Sequence, residues 1–263
     1  MRQREERCHP CRAEWNPQRQ SMLTSPDNPL VRRLVACQDP RKRREEGLVV
    51  VEGRRAIDGC LSAGWLPAHL LVREDLTPPA HWPPATPMGA RVADRLSQAS
   101  SPSGYLAAFP EPVVPALDIH AGGLLLAGVA DPGNTGTLIR TAAALALPQV
   151  VIAGGADPWA AKVVQATAGS IAAVTIHILG DHPELLTGGA PRCALVVSGG
   201  QPPSALKPGP RWLVVGGEAN GIPERWLATC AEHLTLPMPG GTESLNAAVA
   251  GSIAAYLLAC PTA

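Results

Sequence analysis

Residues 123–155 read GLLLAGVADPGNTGTLIRTAAALALPQVVIAGG, and this stretch decides the fold. Residues 124–129 are a continuous apolar run of strand length. Residues 131–136 are a loop rich in Gly, Pro and Asn. Residues 137–147 carry a helical pattern, and residues 150–153 are a second apolar run. The alternation continues downstream. Residues 174–178, 194–198 and 212–216 read as buried strands, and residues 160–168, 223–230 and 244–259 as helices. Near-continuous apolar strands between helices indicate a parallel sheet covered on both faces. Ligands of such sheets bind at the loops beyond the carboxyl ends of the strands.

A smaller α/β pattern lies upstream. Residues 28–37 predict a helix, 39–46 a charged helix or loop, 48–51 a buried strand, 54–63 a helix and 69–72 a strand. The resulting division is a disordered, Arg-rich lead-in at 1–21, a small α/β domain at 22–110, a proline-rich linker at 111–121 and the larger α/β domain at 122–263. At 263 residues the chain suits two modest domains or one large one, and 46% apolar with 17% charged residues is enough for a core.

Composition narrows the function classes. No segment reaches about 18 consecutive apolar residues, so no transmembrane helix is expected. The charged first twenty residues lack the apolar core of a signal peptide, so the expected compartment is the cytoplasm. Seven scattered cysteines fit reduced thiols. Cys8 and Cys11 have the spacing of half a zinc site, but no second pair follows, and no metal is expected. Net charge is zero overall yet uneven. Residues 1–110 hold 16 Lys+Arg against 12 Asp+Glu, and the remainder holds 6 against 10. A basic front half suits a polyanion.

Three loops meet the rule for parallel sheets. The first is 131–140 (DPGNTGTLIR), the second 216–221 (GGEANG) and the third 236–246 (LPMPGGTESLN). Singly, each reads equally well as a turn with glycine at positive-φ positions, with Ser244 a plain N-cap and Glu218 a surface carboxylate. The chain has no G-x-G-x-x-G and no phosphate-binding G-x-x-x-x-G-K-[ST], which argues against a common nucleotide-dependent enzyme.

Taken together, DPGNTGTLIRTAAA (131–144), LVVGGEANGIPE (213–224) and LPMPGGTESLNAAVAGSIAAYLLA (236–259) resemble, in order and spacing, the three motifs of the SpoU (TrmH-like) family of the SPOUT superfamily. NPLVRRLVACQDPRKRREEGLVVVEGRRAIDGCLSAGW (28–65) resembles the small RNA-recognition domain that precedes the catalytic domain in many members. The resemblance implies an S-adenosylmethionine-dependent methyltransferase acting on a ribose 2′-hydroxyl of RNA. It implies a C-terminal parallel sheet flanked by helices, with a deep trefoil knot, and a homodimer whose active site the partner completes. The apolar last helix, with Leu245, Val249, Ile253, Tyr256 and Leu257, is a candidate for that interface.

By motif position the resemblance places Gly216, Gly217, Leu236, Met238 and Leu245 at the cofactor. It places Asn134, Arg140, Glu218, Ser244 and Asn246 at the reaction centre. There Arg140 would hold a substrate phosphate and stabilise the oxyanion, because a guanidinium does not act as a base. Asn134, Ser244 and Asn246 would position the ribose, and Glu218 would orient Arg140 or a loop. Arg32, Arg33, Arg41, Lys42, Arg43, Arg44, Arg54 and Arg55 are the candidates for RNA phosphate contact.

The chain departs from the family pattern at Leu147-Pro148, at Gln165 and Thr167, and at Ala247-Ala248, none of which removes a polar site residue. Large-subunit ribosomal RNA is the preferred substrate. Transfer RNA, or an RNA-binding member without catalysis, are the alternatives.

Overall fold

A computed structural model describes residues 22–260; the lead-in with Cys8 and Cys11 lies outside the described residues. The front unit opens with α1 (Pro29–Ala36) and α2 (Pro40–Glu46). Each is started by an N-cap side chain followed by proline. Asn28 accepts from the Leu30 N–H, and Asp39 from those of Arg41 and Lys42. Gly47, at φ 62°, then closes α2. The charged 39–46 stretch is thus a helix. There follow β1 (Leu48–Glu52), α3 (Arg54–Ser62), β2 (His69–Arg73), β3 (Thr86–Met88), α4 (Ala90–Leu96) and β4 (Tyr105–Pro110). They form a sheet in the order β1-β4-β2-β3, antiparallel except for the β2–β3 pair.

The second sheet contains β5 (Gly123–Val129), β6 (Gln149–Gly155), β7 (Thr175–Ile178), β8 (Arg192–Leu195), β9 (Trp212–Gly216) and β10 (Glu232–Leu234). Its order is β10-β8-β9-β5-β6-β7, and every pair is parallel. The helices are α5 (Pro132–Ala144), α6 (Ala161–Thr167), α7 (Glu224–Leu227) and α8 (Ala247–Ala259). Side chains alternate between two cores. Leu124, Leu126 and Val215 pack with Leu138 and Ala254 of α5 and α8 on one face. Leu125, Ala127 and Val214 pack with Trp226 of α7 on the other. The expected two-sided burial is what makes these strands apolar throughout.

The two sheets share one hydrophobic cluster, in which Val49, Ile57 and Phe109 join Leu124, Trp159 and Val163. The seam is tight enough that helix α3 meets the turn after α6 backbone to backbone. A Cβ on Gly59 would lie 2.9 Å from the Cα of Gly169.

This seam corrects one expectation. Arg43 is not a surface cation for RNA: it is the buried residue of α2, at 2% exposure. Its guanidinium pairs with Asp157, 114 residues away, at 2.6 Å. A charge taken out of water needs a fixed partner. Asp157 supplies it, leaving no guanidinium surface for a phosphate.

Candidate active site

The three loops converge at the carboxyl end of the parallel sheet. Strand β9 delivers Gly216, and the chain folds back through a loop closed by reciprocal bonds between Gly217 and Gly221, at 3.2 and 2.9 Å. Only glycine fits at 216, since a Cβ there would sit 2.2 Å from the backbone carbon of Gly221. Strand β10 leads into 235–246, where Leu236 is buried and Met238 half-buried.

Asn246, not Ser244, caps α8. Its Oδ1 accepts from the N–H groups of Ala248 (3.0 Å) and Val249 (3.2 Å), so the helix starts at Ala247. The Asn246 amide also donates to Asn134 Oδ1 at 3.1 Å. Asn134 in turn sits in the first turn of α5, which Asp131 caps. Thr141 and Ser252 join α5 to α8 at 2.7 Å. The first and third loops are therefore one hydrogen-bonded unit.

Around that unit lies a cleft of about 440 Å³, a size that suits a small-molecule cofactor. Gly216, Gly217, Leu236, Met238 and Leu245 all line it, as do Glu218, Ser244 and Asn246. Leu195 at the end of β8, Val196 and Val197 just beyond it, and Ile222 form walls not among the residues expected at the cofactor. Their signal was the position of the Ser198-Gly199-Gly200 turn at the carboxyl end of a parallel strand.

The lining has a clear electrostatic character. It carries two carboxylates, Glu218 and Glu243, and no Lys, Arg or His. Such a cleft disfavours phosphates and suits a ligand with positive charge beside an apolar portion. Half-buried backbone at Gly216 and Gly217 and the aliphatic Leu236 and Ile222 suit a purine ring.

Arg140 is not brought into the cleft lining. It stands exposed on α5, with no ion pair among the described residues, and no ion pair links it to Glu218. Thiol chemistry is disfavoured as well. Burial pushes Cys60 up to about 12 and Cys193 and Cys230 up to about 11, so all three are protonated at neutral pH.

The other candidates for RNA phosphate contact fall into two groups. Arg32 pairs with Asp27, Arg33 with Glu46, Arg41 with Glu45 and Arg54 with Asp58. Lys42, Arg44 and Arg55 are exposed and have no ion pair among the described residues.

Comparison with known proteins places the chain in a family. Residues 123–256 match the SpoU rRNA Methylase family. The chain belongs to that family. Residues 28–107 match the MRM3-like substrate binding domain. An uncharacterized tRNA/rRNA methyltransferase of Synechocystis is 26% identical over 89% of this chain and 92% of its own. The 23S rRNA (guanosine(2553)-2′-O)-methyltransferase of Bacillus subtilis is 35% identical over 51% of this chain and 56% of its own. An AdoMet-bound rRNA methyltransferase from Sinorhizobium meliloti superposes with TM-score 0.75 at 25% identity, covering 90% of this chain and 96% of that one. As a SpoU member the chain is an S-adenosylmethionine-dependent RNA 2′-O-methyltransferase. Its cleft fits that donor, with carboxylates for the cationic end and an aliphatic, backbone-lined slot for the adenine.

Proposed function

We propose that this enzyme methylates a ribose of large-subunit ribosomal RNA in the cytoplasm, as a homodimer with a trefoil knot in its C-terminal domain. The observation that carries the reading is the cleft lined by the second and third motif loops, which bears two carboxylates and no cation and to which the first loop is tied by the Asn246–Asn134 hydrogen bond. The rRNA substrate is supported by the rRNA 2′-O-methyltransferases among its relatives. Residues 22–110 are the RNA-binding domain, 111–121 the linker and 122–263 the catalytic domain.

S-adenosylmethionine, when bound, supplies an electrophilic methyl group on a sulfonium. The work of the protein is on the other reactant. A neutral 2′-hydroxyl is a weak nucleophile, so its proton must leave as the oxygen attacks. In our reading the proton passes to a neighbouring substrate phosphate, and Arg140 holds that phosphate and stabilises the developing oxyanion. Asn134 and Asn246, already bonded to each other, and Ser244 position the ribose at the cleft. Glu218, on the cleft wall and without an ion pair to Arg140, faces the cationic end of the cofactor.

Arg140 lies outside the cleft lining of its own chain. A second copy supplies it in the dimer. The helix that would meet that copy leaves Val249, Ile253 and Tyr256 exposed at 45%, 41% and 56%, an apolar face that a monomer rarely leaves in water.

Two assays on purified protein test the reading: methyl transfer to protein-free 23S rRNA, and titration with S-adenosylmethionine. Arg140→Ala should lower turnover by about 10²–10³-fold with cofactor affinity kept. Near-normal turnover would remove Arg140 from the mechanism. Cofactor binding without transfer by the parent protein would favour a non-catalytic RNA-binding member.

A further inference from the structure

We infer that Arg43 and Asp157 are positioning residues, which set the angle at which the substrate-binding domain faces the methyl-transfer site. The inference rests on the RNA methyltransferase reading above.

The pair spans the seam. Arg43 lies on α2 of the front unit, and Asp157 lies two residues beyond β6 of the parallel sheet. The arginine side chain is 3% exposed and the aspartate 25%. The bond is poorly furnished for stability. A guanidinium has five N–H donors, yet that of Arg43 makes a single hydrogen bond among the described residues, and its Nε is buried with no partner. Desolvation of such a pair cancels most of its attraction, and apolar replacements of buried pairs are often neutral or stabilising. What a single directional contact does supply is orientation.

The orientation is relayed to the site. The other oxygen of Asp157 accepts from the Trp159 N–H at 3.0 Å. Trp159 is buried, with its ring 6.2 Å from Trp65 of the front unit. The neighbouring Ala156 N–H donates to the Val129 carbonyl at 2.8 Å. Val129 ends β5, and two residues later Asp131 caps the helix that holds Asn134. A short run of bonded backbone thus connects Arg43 to the Asn134–Asn246 unit. A tilt of α2 would move any RNA held by Lys42 or Arg44 on the same helix.

The test is the double variant Arg43→Met/Asp157→Asn. It leaves no unpaired buried charge and keeps an acceptor for the Trp159 N–H. Melting temperature, S-adenosylmethionine affinity and steady-state methylation of protein-free 23S rRNA are measured against the parent. We expect the first two unchanged, kcat at saturating RNA retained, and KM for RNA raised about tenfold or more. An unchanged KM overturns the inference. Should the double variant not fold, Asp157→Glu keeps both charges and shifts the carboxylate by one methylene. A raised KM at unchanged melting temperature then supports the inference, and parental KM contradicts it. A parent that binds cofactor but methylates no RNA would instead overturn the reading on which the inference rests.

Discussion

Asn246 does two jobs that substitution can separate. As the N-cap of α8 its carbonyl oxygen accepts two backbone N–H groups, and its amide donates to Asn134 across the site. Alanine removes both functions. Loss of an N-cap costs about 1 kcal/mol, and loss of one exposed side-chain hydrogen bond adds about 0.5–1 kcal/mol. For a domain of this size about 1 kcal/mol corresponds to about 2–4 °C, so Asn246→Ala should lower the melting temperature by about 3–8 °C. Serine caps as well as asparagine does but is too short to reach Asn134. Asn246→Ser should therefore recover most of the lost stability, while methyl transfer stays at least about tenfold below the parent because the two loops are no longer joined. Differential scanning fluorimetry and transfer of tritiated methyl groups measure the two effects. Full turnover by the serine variant would reduce Asn246 to a helix cap, and an alanine variant with parental melting temperature would refute the capping argument.

Three other expectations follow from particular contacts. Gly216→Ala places a Cβ 2.2 Å from the Gly221 backbone; the loop must move, and calorimetry should find S-adenosylmethionine affinity lowered about tenfold or more, at a stability cost of about 1–3 kcal/mol. His177 of β7 is 7% exposed with Nε2 unpartnered, and burial holds its pKa below the ordinary value. The folded protein keeps it neutral while the unfolded chain protonates near about pH 6.5. Stability present above that pH is lost as pH falls toward the folded pKa, by at most about 1.4 kcal/mol per pH unit. His177→Leu should flatten the decline in melting temperature below about pH 6.5, and an unchanged decline would show that another group drives it. Replacing Lys42, Arg44 and Arg55 together with alanine should lower the slope of log K for RNA against log[salt] by about 2–3; an unaltered slope would move RNA binding to another face.

The parallel sheet was legible because each of its central strands is buried on both faces and therefore apolar without interruption. The front sheet was less so. Its strand β4, which pairs with both β1 and β2, is the run YLAAFP. It leads directly into a proline-rich segment, so nothing in the alternation marked it as central. Strand β3 contains Pro87, tolerable because β3 is an edge, and β10 is three residues long. At the site, the residues on the cleft were readable from their loops, but the start of α8 was not. Ser244 and Asn246 are both good caps, and the choice falls on Asn246 because residues 243–245 are drawn out along the cleft wall. Arg43 was unreadable for a different reason. In PRKRREE every residue after the proline is charged, so no pattern singles out one for burial, and its partner is 114 residues distant.

The central claim is methylation of an RNA ribose. Mapping 2′-O-methyl groups across total RNA, from cells with and without this gene, tests it most directly. A 2′-O-methyl group should be lost from the large-subunit ribosomal RNA, restored by the parent gene and not by the Arg140→Ala form. An unchanged 2′-O-methyl map, or loss of a methyl group carried on a base, would contradict it.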